Sequence, residues 1–355
     1  MSRNCFFPYG SLVICLVLGT VTVARAADIV NRKSGRPAAG EVTAMTSEEI
    51  TVKVKTPKEE LVKVPANDII SVSWNGEPAR LGLARGAEAG GKLKQALDAY
   101  NTVLAELKSD SANLKAEIEY MIARTTAKQA LTEPAERDAA IKKLDAFLTA
   151  HPANWHFFEA QKLLGELYTA KADYPKAQIA YEKLEKAPWK ETQLEAKVAS
   201  GRLLTSMNQL DKAAAAFEAV IAQKPNTPDE TSQRLDAMLA KSMVLIKQAK
   251  PADALKLLDE SIKTLPADDA HLQAEAALRQ GECLRALGKD QEALFAYLRV
   301  DVLFSREKNA HAEALFHLTR LWSKLGQPAR AEEARAKLEG DFPNSDWTKQ
   351  LKKSA

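Results

Sequence analysis

Apolar positions along the chain follow two different periods, and the change falls near Pro78. From Asp28 to Trp74 they alternate. Ile50, Val52 and Val54 are separated by Thr51 and Lys53, Val62 and Val64 flank Lys63, and Ile70, Val72 and Trp74 are separated by Ser71 and Ser73. A period of two puts every second side chain on one face of a strand, so each run predicts a half-buried strand. Breaks at Gly35-Arg36-Pro37, Gly40, Thr56-Pro57-Lys58 and Pro65-Ala66-Asn67-Asp68 divide the stretch into four or five short strands.

Past Pro78 the period becomes helical and one phrase recurs. Its clearest copy runs from Leu163 to Leu184, with Leu164, Gly165 and Tyr168 in a first helix and Ala177, Tyr181 and Leu184 in a second. The next has Gly201, Leu204, Ala213, Phe217, Val220 and Pro225; another has Gly281, Leu284, Gly288, Ala293, Tyr297 and Val300. Weaker copies centre on Ala96 with Tyr100, Ala140 with Leu144, Ala254 with Leu258 and Ala331 with Leu338, which makes seven helical hairpins. A small residue on the first helix, an Ala on the second and an aromatic four residues on form a steric set. The small residues let paired helices approach, and the ring fills the gap to the next pair. Pro152, Pro225, Pro266 and Pro343 each stand twelve residues after a second-helix Ala, where proline stops the helix and turns the chain. The segment Ala130 to Arg137 carries extra residues and predicts a long turn inside the second hairpin. In the last hairpin Thr319 and Arg335 replace the small and bulky residues, as expected of a polar end cap.

These residues resemble the tetratricopeptide repeat (TPR), over roughly Glu77 to Trp347. The resemblance implies a mainly α fold, a right-handed superhelix of about seven hairpins in residues 78–347, with a short tail at 348–355. It also implies that peptides or other proteins bind along the concave face lined by the first helices. The preceding residues 27–77 resemble, in architecture alone, a small SH3-like or Sm-like barrel, whose closure hides strand edges. Such a head would either bind a partner strand or envelope component, or cap the exposed end of the helical stack. Its residues Lys53, Lys55, Lys58 and Lys63 read as the wet face of a sheet.

Helical offset names the groove residues that this register predicts. Lys162, Glu166 and Thr169 come from the third hairpin, and Val198, Arg202 and Thr205 from the fourth. The fifth supplies Leu239, Met243 and Ile246, the sixth Leu278, Glu282 and Arg285, and the seventh Phe316, Arg320 and Ser323. The apolar middle is read as buried within the stack, with an anchor pocket for a partner as the alternative. Glu159, Glu195, Asp236, Glu275 and Glu313 occupy one equivalent place, eighteen residues before each second-helix Ala. A carboxylate in the first turn of a helix is stabilised by the helix dipole, which accounts for this row without a ligand.

The first 26 residues differ from the rest: Arg3, an apolar run from Ser11 to Val23, then Ala24-Arg25-Ala26. This is the layout of a secretory signal peptide cleaved after Ala26, so a periplasmic or extracellular location is expected, with no integral span after cleavage. Removing Arg3 and Arg25 from 50 basic residues set against 47 acidic leaves a net charge near +1, which provides no electrostatic drive toward nucleic acid. Cys5 and Cys15 lie in the leader, so Cys283 alone remains; it sits in an apolar helical stretch and reads as a small buried hydrophobe. No G-x-x-x-x-G-K-[ST], G-x-S-x-G, H-E-x-x-H or paired-Cys motif occurs, and His151, His156, His271, His311 and His317 have no metal-site spacing. No catalytic residue, cofactor or metal is therefore assigned. The sequence reads as a non-catalytic scaffold for other proteins or peptides in the cell envelope. The alternatives are a reader of cell-wall glycan using the β head, an accessory subunit of an exported enzyme, and a structural part of a surface layer.

Overall fold

The alternating stretch forms five strands and the periodic stretch forms helices in antiparallel pairs. The computed structural model describes residues 27–55, 58–108, 110–267 and 269–353. The expected leader, and Thr56 and Pro57 of one expected break, lie outside them. Strands β1 (Asp28–Arg32), β2 (Ala38–Met45), β3 (Glu49–Val54), β4 (Glu60–Pro65) and β5 (Ile69–Ser73) form one antiparallel sheet in the order β4-β3-β2-β1-β5. A single 3-10 turn, Ala66–Asp68, links β4 to β5. Asp68 fixes this corner by accepting from the Ser34 amide at 2.8 Å and from Arg32 Nε at 3.1 Å. Gly40 is required where β2 meets β3, because a Cβ there would collide with the Lys53 carbonyl. The pairings establish a five-stranded antiparallel sheet with β4 and β5 at the two ends of its order.

Seven helix pairs follow. They are α1 (Ala79–Ala89) with α2 (Leu93–Ala105), α3 (Ala112–Thr132) with α4 (Arg137–Ala150), and α5 (Phe157–Ala170) with α6 (Tyr174–Glu185). Then come α7 (Lys190–Ser206) with α8 (Leu210–Ile221), α9 (Pro228–Lys247) with α10 (Pro251–Ile262), α11 (Ala270–Ala286) with α12 (Asp290–Leu303), and α13 (Lys308–Lys324) with α14 (Pro328–Asp341). The extra residues of the second pair lengthen α3 to Thr132 and add a 3-10 turn, Pro134–Glu136. First helices stack side by side, α3 on α5, α5 on α7, α7 on α9, α9 on α11 and α11 on α13.

The glycines do what their spacing predicts. A Cβ at Gly201 would lie 2.5 Å from the Phe217 ring and one at Gly281 would lie 2.6 Å from the Tyr297 ring; Gly165 faces Tyr181 even more closely. All three rings are buried, so each glycine is the hole into which the partner helix's aromatic side chain fits.

Residues 348–353, expected as a tail, belong to an eighth-position helix, α15 (Asp346–Lys353), which packs on α13. Leu351 and Thr348 are buried, and Trp347 meets Phe316 at 5.2 Å between ring centroids. Leu351 and Trp347 of this helix join one core with Leu315, Phe316 and Leu318 of α13. The array also returns on itself: α13 touches α3, and Arg137 of α4 donates to Asp346 at 2.8 Å.

The β head is not a separate unit stacked before α1. Its inward residues Val30, Ile50, Val52, Val64, Val72 and Trp74 share one core with Leu81, Ala84, Tyr100, Leu114 and Ile118 of the first three helices, and with Trp155. Lys33 reaches Asp229 of α9 at 2.7 Å, and Asn67 contacts Glu191 of α7. Trp155 precedes α5, Trp189 precedes α7, and Asp229 is in the first turn of α9. The head therefore lies against the N-terminal ends of three successive first helices.

Candidate partner-binding face

The first helices carry most of the buried charge. At the second pair, Glu88 of α1 is held by Arg124 at 2.7 Å and Lys128 at 3.0 Å, both from α3, and accepts from Tyr100 at 2.9 Å. Burial opposes the Glu88 charge, and Arg124 with Lys128 outweighs it, so its carboxyl titrates below the usual range. Beside it His156 is stacked on Tyr120 at 3.6 Å and contacts Glu117 at 3.2 Å and Glu159 at 3.6 Å. Burial disfavours charge on both His156 and Glu117. Their mutual attraction overrides it, raising the histidine and lowering the carboxyl.

Farther along, cations of one first helix reach carboxylates of the next. Lys162 of α5 pairs with Glu195 of α7 at 2.5 Å, and Arg202 of α7 pairs with Asp236 of α9 at 2.5 Å. Arg202 also reaches over α9 to Glu275 of α11 at 3.6 Å. Arg279 of α11, almost wholly buried, contacts Glu275 at 3.2 Å, Glu282 and, on α13, Glu313 at 2.9 Å. Burial raises the Glu275 carboxyl, but Arg279 and then Arg202 bring it down to about 2. Glu313 is pushed up to about 7, first by burial and then, against the pull of Arg279, by the neighbouring Glu282 and Glu275 charges.

This corrects the reading of the acidic row. Glu159 does lie in the first turn of α5, but Glu195, Asp236, Glu275 and Glu313 sit in the second or third turn of helices that begin earlier than the spacing implied. The helix dipole fades within one turn. The row is instead a ladder of ion pairs that ties successive first helices together. Sequence spacing concealed it because the cations occupy different offsets: Lys162, Arg202 and Arg279 stand fifteen, eleven and fourteen residues before their second-helix Ala.

The other expected groove residues divide into three groups. Val198, Leu239, Leu278 and Phe316 are buried between helices, so the apolar middle belongs to the stack; Met243 and Ile246 are half-buried at its border. Thr205 is buried, and its hydroxyl donates to the Gly201 carbonyl at 2.9 Å; Thr169 does the same to Gly165 at 2.8 Å. Thr205 is thus removed from any partner surface. Glu166 is half-buried, its carboxyl raised by burial and lowered in part by Lys162. Arg285 and Arg320 are exposed, and neither makes an ion pair with a carboxylate among the described residues. Arg320 lies over the Phe316 ring at 5.5 Å.

One cluster was not anticipated. Glu282 and Glu313 each place a carboxylate oxygen within 4.8 Å of a ring nitrogen of His317 and of each other. His317 is stacked on Tyr297 at 4.7 Å, and its Nε2 has no hydrogen-bond partner. Burial, with Arg285, Arg279 and Arg320 nearby, pushes the His317 imidazolium down to about 3, so the ring is neutral. Histidine spacing could not show this, because the three residues come from two helices. Cys283 is buried, as expected, and burial pushes its thiol up to about 12, which leaves it unreactive.

Neither a family model nor a curated protein matches the chain. Among solved structures, it is similar to a tetratricopeptide repeat protein from Parabacteroides merdae, at 14% identity and a TM-score of 0.47 over 77% of this chain and 96% of that one. A Rap protein complexed with competence and sporulation factor aligns at 15% identity and a TM-score of 0.49, over 77% of this chain and 79% of that one. PilW, a type IV pilus biogenesis factor, aligns at 20% identity and a TM-score of 0.43, over 68% of this chain and 99% of that one.

Proposed function

We propose that the chain is a non-catalytic scaffold of the cell envelope or periplasm: a right-handed superhelix of TPR-like hairpins that holds an acidic segment of a partner protein against its first helices. One observation carries the reading. Along a face whose other arginines, Arg124, Arg202 and Arg279, are consumed by ion pairs, Arg285 and Arg320 stand exposed and without a carboxylate. Guanidinium groups without a carboxylate partner on a structured face are suited to bidentate recognition of carboxylates. Export is supported by the layout of Arg3, the apolar run Ser11–Val23 and Ala24-Arg25-Ala26. Among the described residues, no helix is long and apolar enough to cross a membrane.

Affinity purification of the tagged chain, produced with its leader in its native cells, tests this reading with Arg285→Glu and Arg320→Glu against Lys256→Glu on the exposed side of α10. Loss of the same co-purifying protein from the first two variants only is the expected result. Retention in both, with helix content unchanged, refutes it. Arg202→Glu would be a poor probe, since it would break the contacts to Asp236 and Glu275. Deleting residues 27–77 would be no better, because it strips half of a shared core.

A further inference from the structure

A buried ring nitrogen without a hydrogen-bond partner lies beside the Arg279 contacts. Arg202 and Arg279 pair with Asp236, Glu275, Glu282 and Glu313, and Arg285 and Arg320 stand near the same place beside His317, so four guanidiniums accompany four carboxylates. At the same place His317, which is 7% exposed, presents a buried Nε2 without a partner. A buried polar atom without a partner needs an explanation, and a bound ion beside carboxylates is one. Arg279 engages one oxygen each of Glu282 and Glu313, which does not exhaust the acceptor capacity of either carboxylate.

We propose that Glu282, Glu313 and His317 form a binding site for a first-row divalent cation, with zinc the best match to one imidazole and two carboxylates. The three ligand atoms lie within 4.8 Å of one another, a span that small side-chain rotations close onto a single ion. Glu282 comes from α11 and Glu313 and His317 from α13, so the ion cross-links the sixth and seventh pairs beside the Arg279 contacts. Glu282 and Glu313 are half-buried, which gives the ion a path from solvent. Three protein ligands leave zinc an open position. The site does not depend on the partner-binding reading.

The test is calorimetric titration of the EDTA-dialysed full chain with zinc chloride, followed by cobalt(II) absorption. The expected result is one zinc per chain, with affinity weakened at least about tenfold by Glu282→Gln, Glu313→Gln and His317→Gln. His271→Gln, which alters the separate exposed contact with Glu307, leaves it unchanged. No zinc uptake at millimolar concentration overturns the proposal, as does an affinity retained by the folded variants. If one variant loses its helical circular dichroism, the other two decide.

Discussion

Replacing Gly201 by alanine places a methyl group 2.5 Å from the Phe217 ring, at a site where both residues are buried. Neither can retreat easily, since Phe217 is packed among Leu194, Val198, Ala237 and Val244. Overpacking of this kind costs about 1–3 kcal/mol. Alanine also improves helix propensity by about 1 kcal/mol over glycine, which would hide part of the cost. Gly86 in α1 supplies the correction, because nothing lies within 4 Å of a Cβ added there. Gly86→Ala gains the propensity without the clash, so the two variants should differ in unfolding free energy by the full 1–3 kcal/mol, roughly. Urea unfolding followed by circular dichroism at 222 nm measures this. Phe217→Leu should relieve Gly201→Ala, so that the double variant loses less than the two single losses together. If Gly201→Ala is as stable as Gly86→Ala, or if the two substitutions are additive, the interlocking of glycine and ring is wrong.

Three further outcomes are expected. Arg279→Ala leaves Glu275, Glu282 and Glu313 without their shared cation and should destabilise the chain by about 3–5 kcal/mol, with partial recovery on adding Glu275→Gln; urea midpoints decide this. The His156 imidazolium is held above its ordinary value by Glu117, so its contribution is fully present below about pH 6.5 and fades as pH rises through the higher folded value; Glu117, held low, contributes until strong acid protonates it. Thermal midpoints should therefore fall between neutral and alkaline pH by an amount that His156→Gln removes, and an unchanged pH slope in that variant would contradict the assignment. Arg285→Glu and Arg320→Glu, at exposed sites without ion pairs, should each shift the urea midpoint by no more than about 1 kcal/mol equivalent, well short of unfolding the chain, so that loss of a partner cannot be blamed on unfolding.

The hairpin count, the glycine-to-aromatic register and the extent of the strand region were legible in the sequence because each depends on contacts at fixed spacing. Gly165 and Tyr181 are sixteen residues apart, as are Gly201 with Phe217 and Gly281 with Tyr297, and sterics leaves few other residue choices. The ion-pair ladder was illegible because long flexible side chains reach their partners from several offsets. Lys162 meets Glu195 across one helix interface, whereas Arg202 spans two. Position alone therefore gave the carboxylates a local role at the helix ends, when their role is between helices. The place of the head was also hidden. Asn67 and Lys33 carry no mark of contact with Glu191 and Asp229, more than a hundred residues away, and only the tertiary fold brings them together. The tail was misjudged for a related reason: Asp346–Lys353 has too few apolar residues to announce a helix, and it forms where α13 offers a surface.

Site-specific photocrosslinking tests the central claim most directly. A benzophenone side chain placed at Arg285 or Arg320 on the first helices, or at Gln178 or Lys256 on the exposed side of second helices, reports which face a partner touches in producing cells. The account predicts one discrete adduct from the first-helix positions and none from the second-helix positions. Equal adducts from both faces, or adducts from the second helices alone, would contradict it.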